Sequence, residues 1–150
     1  MVFYYSHSRK TEVIAQAVGE HYGMPVYKLE TDLELLSTFR FILKALWLTV
    51  GRKPYPVTNM PDVVNKEIYL CSPVWGGHLA APGLFFLQNA NLRDVKVNIV
   101  MTASTPVEKY RTNGLQLLDS IVCVPGEVRV FATAKNTLPE VDIIKEHLDE

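Results

Sequence analysis

VFYYSHSRKTE, residues 2–12, packs three signals into one short run. An apolar strand, Met1–Tyr5, enters a hydroxyl-rich loop, and the loop opens directly into an amphipathic helix. A helix start of this kind leaves backbone N–H groups free, with the positive end of the helix dipole behind them. It is an anion site in outline. Ser6, Ser8 and Thr11 place hydroxyls at S-x-S-x-x-T spacing, and Arg9 and Lys10 add positive charge. Serine and threonine also favour helix starts through local capping, so a plain cap is the competing reading. The spacing is not G-x-x-x-x-G-K-[ST], which argues against a nucleoside triphosphatase.

Working outward, strands and helices alternate. Thr11–Tyr22 is helical, with Ile14, Ala17, Val18 and His21 at three- and four-residue steps, and Gly23 stands where a helix-ending glycine belongs. Pro25–Leu29 is a second strand. Asp32 caps a helix carrying Leu36, Phe39, Leu43, Leu46 and Val50 on one seam, stopped by Gly51 and Pro54. Glu67–Ser72 is a third strand and Pro73–Ala81 a loop, after which Pro82 opens a helix through Asn89. Val95–Thr102 is a fourth strand, Ala103–Pro106 a loop, and Val107–Asp119 a helix. Val128–Ala132 is a fifth strand, and Thr137–Leu148 a closing helix with Pro139 in its first turn. This alternation predicts an α/β three-layer sandwich, a parallel five-stranded sheet in order 2-1-3-4-5 with helices on both faces. No repeat or linker interrupts it, so residues 1–150 read as one domain.

Composition narrows the function classes. The chain of 150 residues has 48% hydrophobic and 21% charged residues and a formal net charge of −1, which gives no electrostatic footprint for nucleic acid. The run Leu33–Val50 is broken by Glu34, Arg40 and Lys44 and falls short of the ~20 clean apolar residues of a membrane span. Cys71 and Cys123 lie in apolar runs and form no C-x-x-C pair, as buried free thiols do in a reducing compartment. The start, polar by Ser6, does not resemble a signal peptide, so the expected location is cytoplasmic. No His/Cys/Asp/Glu cluster has metal-ligand spacing.

In doubly wound sheets, ligands sit outside the carboxyl ends of the strands where strand order reverses. Three loops leave such ends here: Ser6–Thr11, Pro73–His78 and Thr102–Pro106. In order 2-1-3-4-5 their strands are neighbours, so the loops converge on one pocket. The second loop sets Trp75, able to stack on a flat ring, beside Gly76 and Gly77, which let backbone approach a ligand closely. A core tryptophan followed by a glycine turn is the competing reading. The third loop offers Thr102, Ser104 and Thr105.

YYSHSRKTEVIAQAV resembles the phosphate loop of flavodoxins, and EIYLCSPVWGGHLAAPGLFFL resembles their third strand, ring-contacting loop and proline-started helix. KVNIVMTAS is similar to their fourth strand and third cofactor loop. The resemblance implies a short-chain flavodoxin-type protein that binds FMN without a covalent bond. Carried over by position, Ser6, His7, Ser8, Arg9, Lys10 and Thr11 would cradle the phosphate. Trp75 would lie against the flavin ring, preceded by Pro73 and Val74, and Gly76 and Gly77 would supply backbone to its reducible edge. Thr102, Ala103 and Ser104 would line its pyrimidine side. Arg9 and Lys10 stand where the family has glycine and a small polar residue, and an arginine at positive φ is strained. The third loop lacks the family's glycine. The family is strongly acidic and this chain is not, which implies a less reducing flavin.

The implied role is electron transfer with a redox partner protein. One alternative is an FMN-dependent NAD(P)H reductase of a quinone or similar small acceptor. Another is a binding or regulatory module without FMN. A phosphorylated-aspartate receiver is disfavoured, since Tyr4, Tyr5 and Ser6 occupy the place of its acidic pair. His78 reads either as a proton donor at the pocket mouth or as a solvated loop histidine. Leu33–Val50 reads either as buried against the sheet or as a patch for a partner or second subunit. Trp47 is expected to pack inside.

Overall fold

The structure, a computed structural model, describes residues 1–105 and 107–150. Its elements are β1 (Val2–Tyr4), α1 (Lys10–Tyr22), β2 (Val26–Lys28), α2 (Thr38–Gly51), β3 (Glu67–Trp75), β4 (His78–Leu79), α3 (Ala81–Asn89), β5 (Lys96–Ala103), α4 (Glu108–Asp119), β6 (Val124–Ala132) and α5 (Val141–Asp149). The sheet runs β2-β1-β3-β5-β6, all parallel, with β4 paired antiparallel to the end of β3. This is the expected 2-1-3-4-5 order with one short strand added.

Side chains alternate across a strand, so each strand feeds two cores. Val2, Tyr4, Tyr69, Cys71 and Val100 face α1 and α5, where Ile14, Val18, Ile144 and Leu148 are buried. Phe3, Tyr5, Leu70, Ile99 and Met101 face the other way and meet Phe86, Leu87 and Leu118 of α3 and α4. A third cluster joins Leu33, Phe41 and Leu48 to Ala81 and the edge of Trp75. These three clusters fix the carboxyl ends of β1, β3 and β5, where the loops of interest emerge.

Several expected boundaries move. The loop expected from Pro73 to Ala81 is a hairpin. β3 continues through Pro73, Val74 and Trp75, turns at Gly76 and Gly77, and returns as β4 with Trp75 opposite His78. Gly76 and Gly77 have φ of 58° and 87°, the paired positive values of a tight two-residue hairpin turn. Thr102 and Ala103 lie in β5 rather than in a loop, opposite Phe131 and Ala132. Pro106, expected in the third loop, lies outside the described residues.

The long helix divides. Asp32–Leu35 is a separate 3-10 turn capped by the Thr31 hydroxyl, not by Asp32, and α2 begins only after Ser37. Its buried residues are Phe41 and Leu48, whereas Phe39, Leu43, Leu46 and Val50 of the expected seam are exposed. Trp47 is also exposed, under the ammonium groups of Lys44 and Lys53. The last helix begins at Val141, so Pro139 precedes it instead of sitting in its first turn. Among the described residues no helix is long and apolar enough to cross a membrane.

Candidate functional site

The chain passes from β1 to β2 on one side and to β3 on the other, so the crevice of reversed strand order opens at the carboxyl ends of β1 and β3. The first loop fills one wall of that crevice. Tyr5 is buried and donates its hydroxyl to Glu34 Oε1 at 3.0 Å. Glu34 Oε2 lies 3.1 Å from His7 Nδ1, and the His7 ring stacks on Phe41 with centroids 3.8 Å apart. Burial, the Glu34 charge and that hydrogen bond push the Tyr5 phenol far above its ordinary range, so it stays a neutral donor. The loop is thus clamped from outside by the 3-10 turn and α2.

Inside the clamp, Ser6 is buried, and its Oγ has no hydrogen-bond partner among the described residues. A buried hydroxyl left unpaired costs roughly 1–3 kcal/mol. Around it, no backbone N–H of residues 6–12 donates to a protein carbonyl among the described residues. Arg9 makes this geometry as the N-cap of α1, at φ 65° and ψ −8°, the left-handed conformation that glycine adopts most cheaply. Residues 6–12 therefore form a concavity of unpaired donors at the positive end of a helix.

The side chains divide the work unequally. Thr11 is buried and shares a 2.7 Å hydrogen bond with Thr102 Oγ1. Ser8 and Arg9 are exposed, and Arg9 faces Glu12 at 3.8 Å. Lys10 reaches away from the loop and donates to the carbonyls of Ala134 and Lys135. It offers the concavity its backbone N–H and not its ammonium group.

Trp75 joins the first loop to the hairpin. Its ring meets Tyr5 and Phe41 edge-on, with centroids 5.8 Å and 5.9 Å away. It is half-buried, and a cavity opens beside it between α2, α3 and α4. Gly76 is exposed and touches α2, since a Cβ there would fall 2.3 Å from Thr49 Cγ2. The Gly77 carbonyl accepts from Asn113 Nδ2 at 2.8 Å, and Tyr110 lies over the same turn. On the third side, the Ala103 carbonyl accepts from the N–H and hydroxyl of Thr133, and Ser104 is exposed.

The structure brings residues 6–11, Trp75 and Thr102 together at one end of the sheet. Thr102 acts through Thr11, because its hydroxyl is committed there. Glu34, Phe41 and Asn113 are site residues that the sequence reading missed. Glu34 reaches its partners Tyr5 and His7 across 29 and 27 residues of sequence, and Asn113 reaches Gly77 across 36, with no local motif.

No family model matches the sequence, and no curated protein matches it. Solved structures do. A candidate flavoprotein from Bacteroides uniformis superposes with a TM-score of 0.80 at 13% identity, covering 100% of this chain and 97% of that one. A flavoprotein in complex with FMN from Lactobacillus acidophilus gives 0.65 at 19% identity over 86% of this chain and 90% of its own. Oxidised flavodoxin 2 from Bacillus cereus gives 0.56 at 19% identity over 97% and 92%. The fold is flavodoxin-like. In the flavodoxin-like sheet the β1/β3 crevice is the switch point, and the unpaired donors of residues 6–12 lie at its mouth.

Proposed function

We propose that the protein is a flavoprotein that binds FMN, with the phosphate in the loop of residues 6–11 and the ring beside Trp75. The observation that carries this is the buried Ser6 Oγ, without a partner among the described residues, inside a run of backbone N–H groups that donate to no carbonyl among them. A phosphate satisfies such a set of donors, and a plain helix cap does not. Ser6, Ser8 and Thr11 would hold the phosphate together with the N–H groups of His7, Arg9 and Lys10. Trp75, Gly76, Gly77 and Ser104 would border the ring. FMN supplies the electron-transfer chemistry, while the protein sets its position, access and potential. With a net charge of −1 the chain lacks the negative surroundings that disfavour a reduced anionic flavin, so its flavin is less reducing than that of a strongly acidic flavodoxin.

The leading role is electron transfer with a partner protein, supported by the exposed apolar residues of α2 that flank this end of the sheet. The second reading, reduction of a small acceptor by NAD(P)H, is supported by the cavity beside Trp75, whose size suits the acceptor and not the dinucleotide. Free Cys71 and Cys123 suit a reducing, cytoplasmic setting. The deciding experiment is titration of the purified protein with FMN and with riboflavin. FMN should bind far more tightly, because only it carries the phosphate. Equal affinities, or no quenching of either fluorescence at micromolar protein, would remove the proposal. Bleaching of bound FMN by NADPH alone would favour the reductase over the shuttle.

A further inference from the structure

A cavity of about 280 Å³ lies between α2, α3 and α4, beneath the β3–β4 hairpin. None of residues 6–11 or 102–104 lines it, so it is separate from the phosphate loop. Its floor is apolar, with Leu48, Leu79 and Met101 buried, and Trp75 forms a wall. Gln88 and Gln116 stand at its rim and offer neutral hydrogen-bonding groups.

The mouth is cationic. Arg52 and Lys53 line it from the end of α2, and His78 lines it from β4. Lys109 is close enough to His78 to act on its titration. Among the described residues, no acidic side chain lies within ion-pair distance of Arg52, Lys53 or Lys109. Burial and the charges of Arg52 and Lys109 hold His78 below its ordinary value.

Arg52 is also strained. It ends α2 at φ 47°, ψ 43°, a conformation that costs an arginine energy and costs glycine none. Non-glycine residues held in this region cluster at ligand sites, because the surrounding structure must over-determine them. Here the contact of Thr49 with Gly76 holds the last turn of α2 against the hairpin and keeps Arg52 at the cavity mouth.

We propose that this cavity binds a small organic anion with a flat ring, its ring against Trp75 and the apolar floor and its carboxylate or sulfonate at Arg52, since the Lys53 ammonium lies over the Trp47 ring outside the cavity. The volume suits one or two fused rings and excludes a dinucleotide. Binding here does not require FMN, and the two sites share Trp75 and Asn113.

The test is calorimetric titration of the protein as purified with 2-naphthoate and, in parallel, with uncharged 2-naphthamide. Naphthoate should bind about fivefold more tightly, the scale of one solvent-screened ion pair. Arg52→Gly removes the guanidinium at a backbone position that suits glycine, so the variant folds at least as well. It should lose that advantage for naphthoate and leave naphthamide unchanged. Equal affinities of the two probes, no binding of either at millimolar concentration, or an Arg52→Gly variant that still prefers naphthoate would overturn the proposal. So would displacement of naphthoate by FMN, which would merge the two sites.

Discussion

Thr11 Oγ1 and Thr102 Oγ1 lie 2.7 Å apart, both on buried residues, and this bond ties the first turn of α1 to the carboxyl end of β5. The two segments come from opposite sides of the crevice, so the pair sets the position of the phosphate loop relative to the third strand end. Thr11→Val leaves the Thr102 hydroxyl buried without its partner and should cost roughly 1–3 kcal/mol. Replacing both threonines with valine should cost less than the sum of the singles, because no hydroxyl is then left unpaired. Urea midpoints of the three variants measure this. In parallel titrations, Thr11→Val should weaken FMN more than riboflavin.

Arg9 at φ 65° supports a second prediction. A left-handed non-glycine residue costs about 1–2 kcal/mol, and glycine gives back about 0.5–1 kcal/mol through its freer unfolded chain. Arg9→Gly should therefore stabilise the fold by about 0.5–1 kcal/mol. The exposed pair with Glu12 at 3.8 Å is too weak to reverse the sign. Arg9→Ala keeps the strained conformation and should give no gain. An alanine variant as stable as the glycine variant would mean that Arg9 is not strained.

The first loop was legible because its signals are local. Hydroxyls, a preceding strand and a following helix all fall within one window, and the positive φ at Arg9 follows from the glycine expected there. The hairpin was also within reach, since Gly76–Gly77 between Val74–Trp75 and His78–Leu79 is a two-residue turn signature. A proline is uncommon inside a sheet, yet Pro73 sits in β3 opposite Thr102, so the strand runs past the expected end at Ser72. Glu34 and Phe41 could not be read, since their roles exist only as contacts with Tyr5, His7 and Trp75. The facing of α2 failed for a different reason. The helix is apolar nearly all round, so its periodicity cannot say which side is buried.

His78 carries a prediction on pH. Burial, with Arg52 and Lys109 nearby, lowers its value from the ordinary 6.5. A histidine whose folded value is depressed binds its proton more readily when unfolded. Its contribution to stability is therefore full above the unfolded value and is lost as pH falls through that value toward the folded one. Its imidazole resonances should titrate with a midpoint below 6.5, and Arg52→Gly should move that midpoint upward by removing one of the repelling charges. A midpoint at or above the ordinary value in the wild-type protein would contradict the placement of His78 beside these cations.

The two sides of α2 should respond oppositely to substitution. Phe41 is 6% exposed and Leu48 3%, whereas Phe39 is 71% and Leu46 59% exposed. Phe41→Ala should cost about 3–5 kcal/mol and Leu48→Ala about 2–5 kcal/mol, the range for buried large-to-small changes. Phe39→Ser and Leu46→Ser should stay within about 0.5 kcal/mol of wild type, as surface changes do. The buried pair separates further by contact. Phe41 stacks on His7 and meets Trp75 edge-on, so its removal should loosen the first loop and weaken FMN at temperatures where the variant remains folded. Leu48 lines the cavity under the hairpin and has no place against the first loop, so Leu48→Ala should lose stability while keeping FMN affinity. Equal loss of FMN affinity in both variants would show that global stability, and not the His7–Phe41 stack, holds the loop in place.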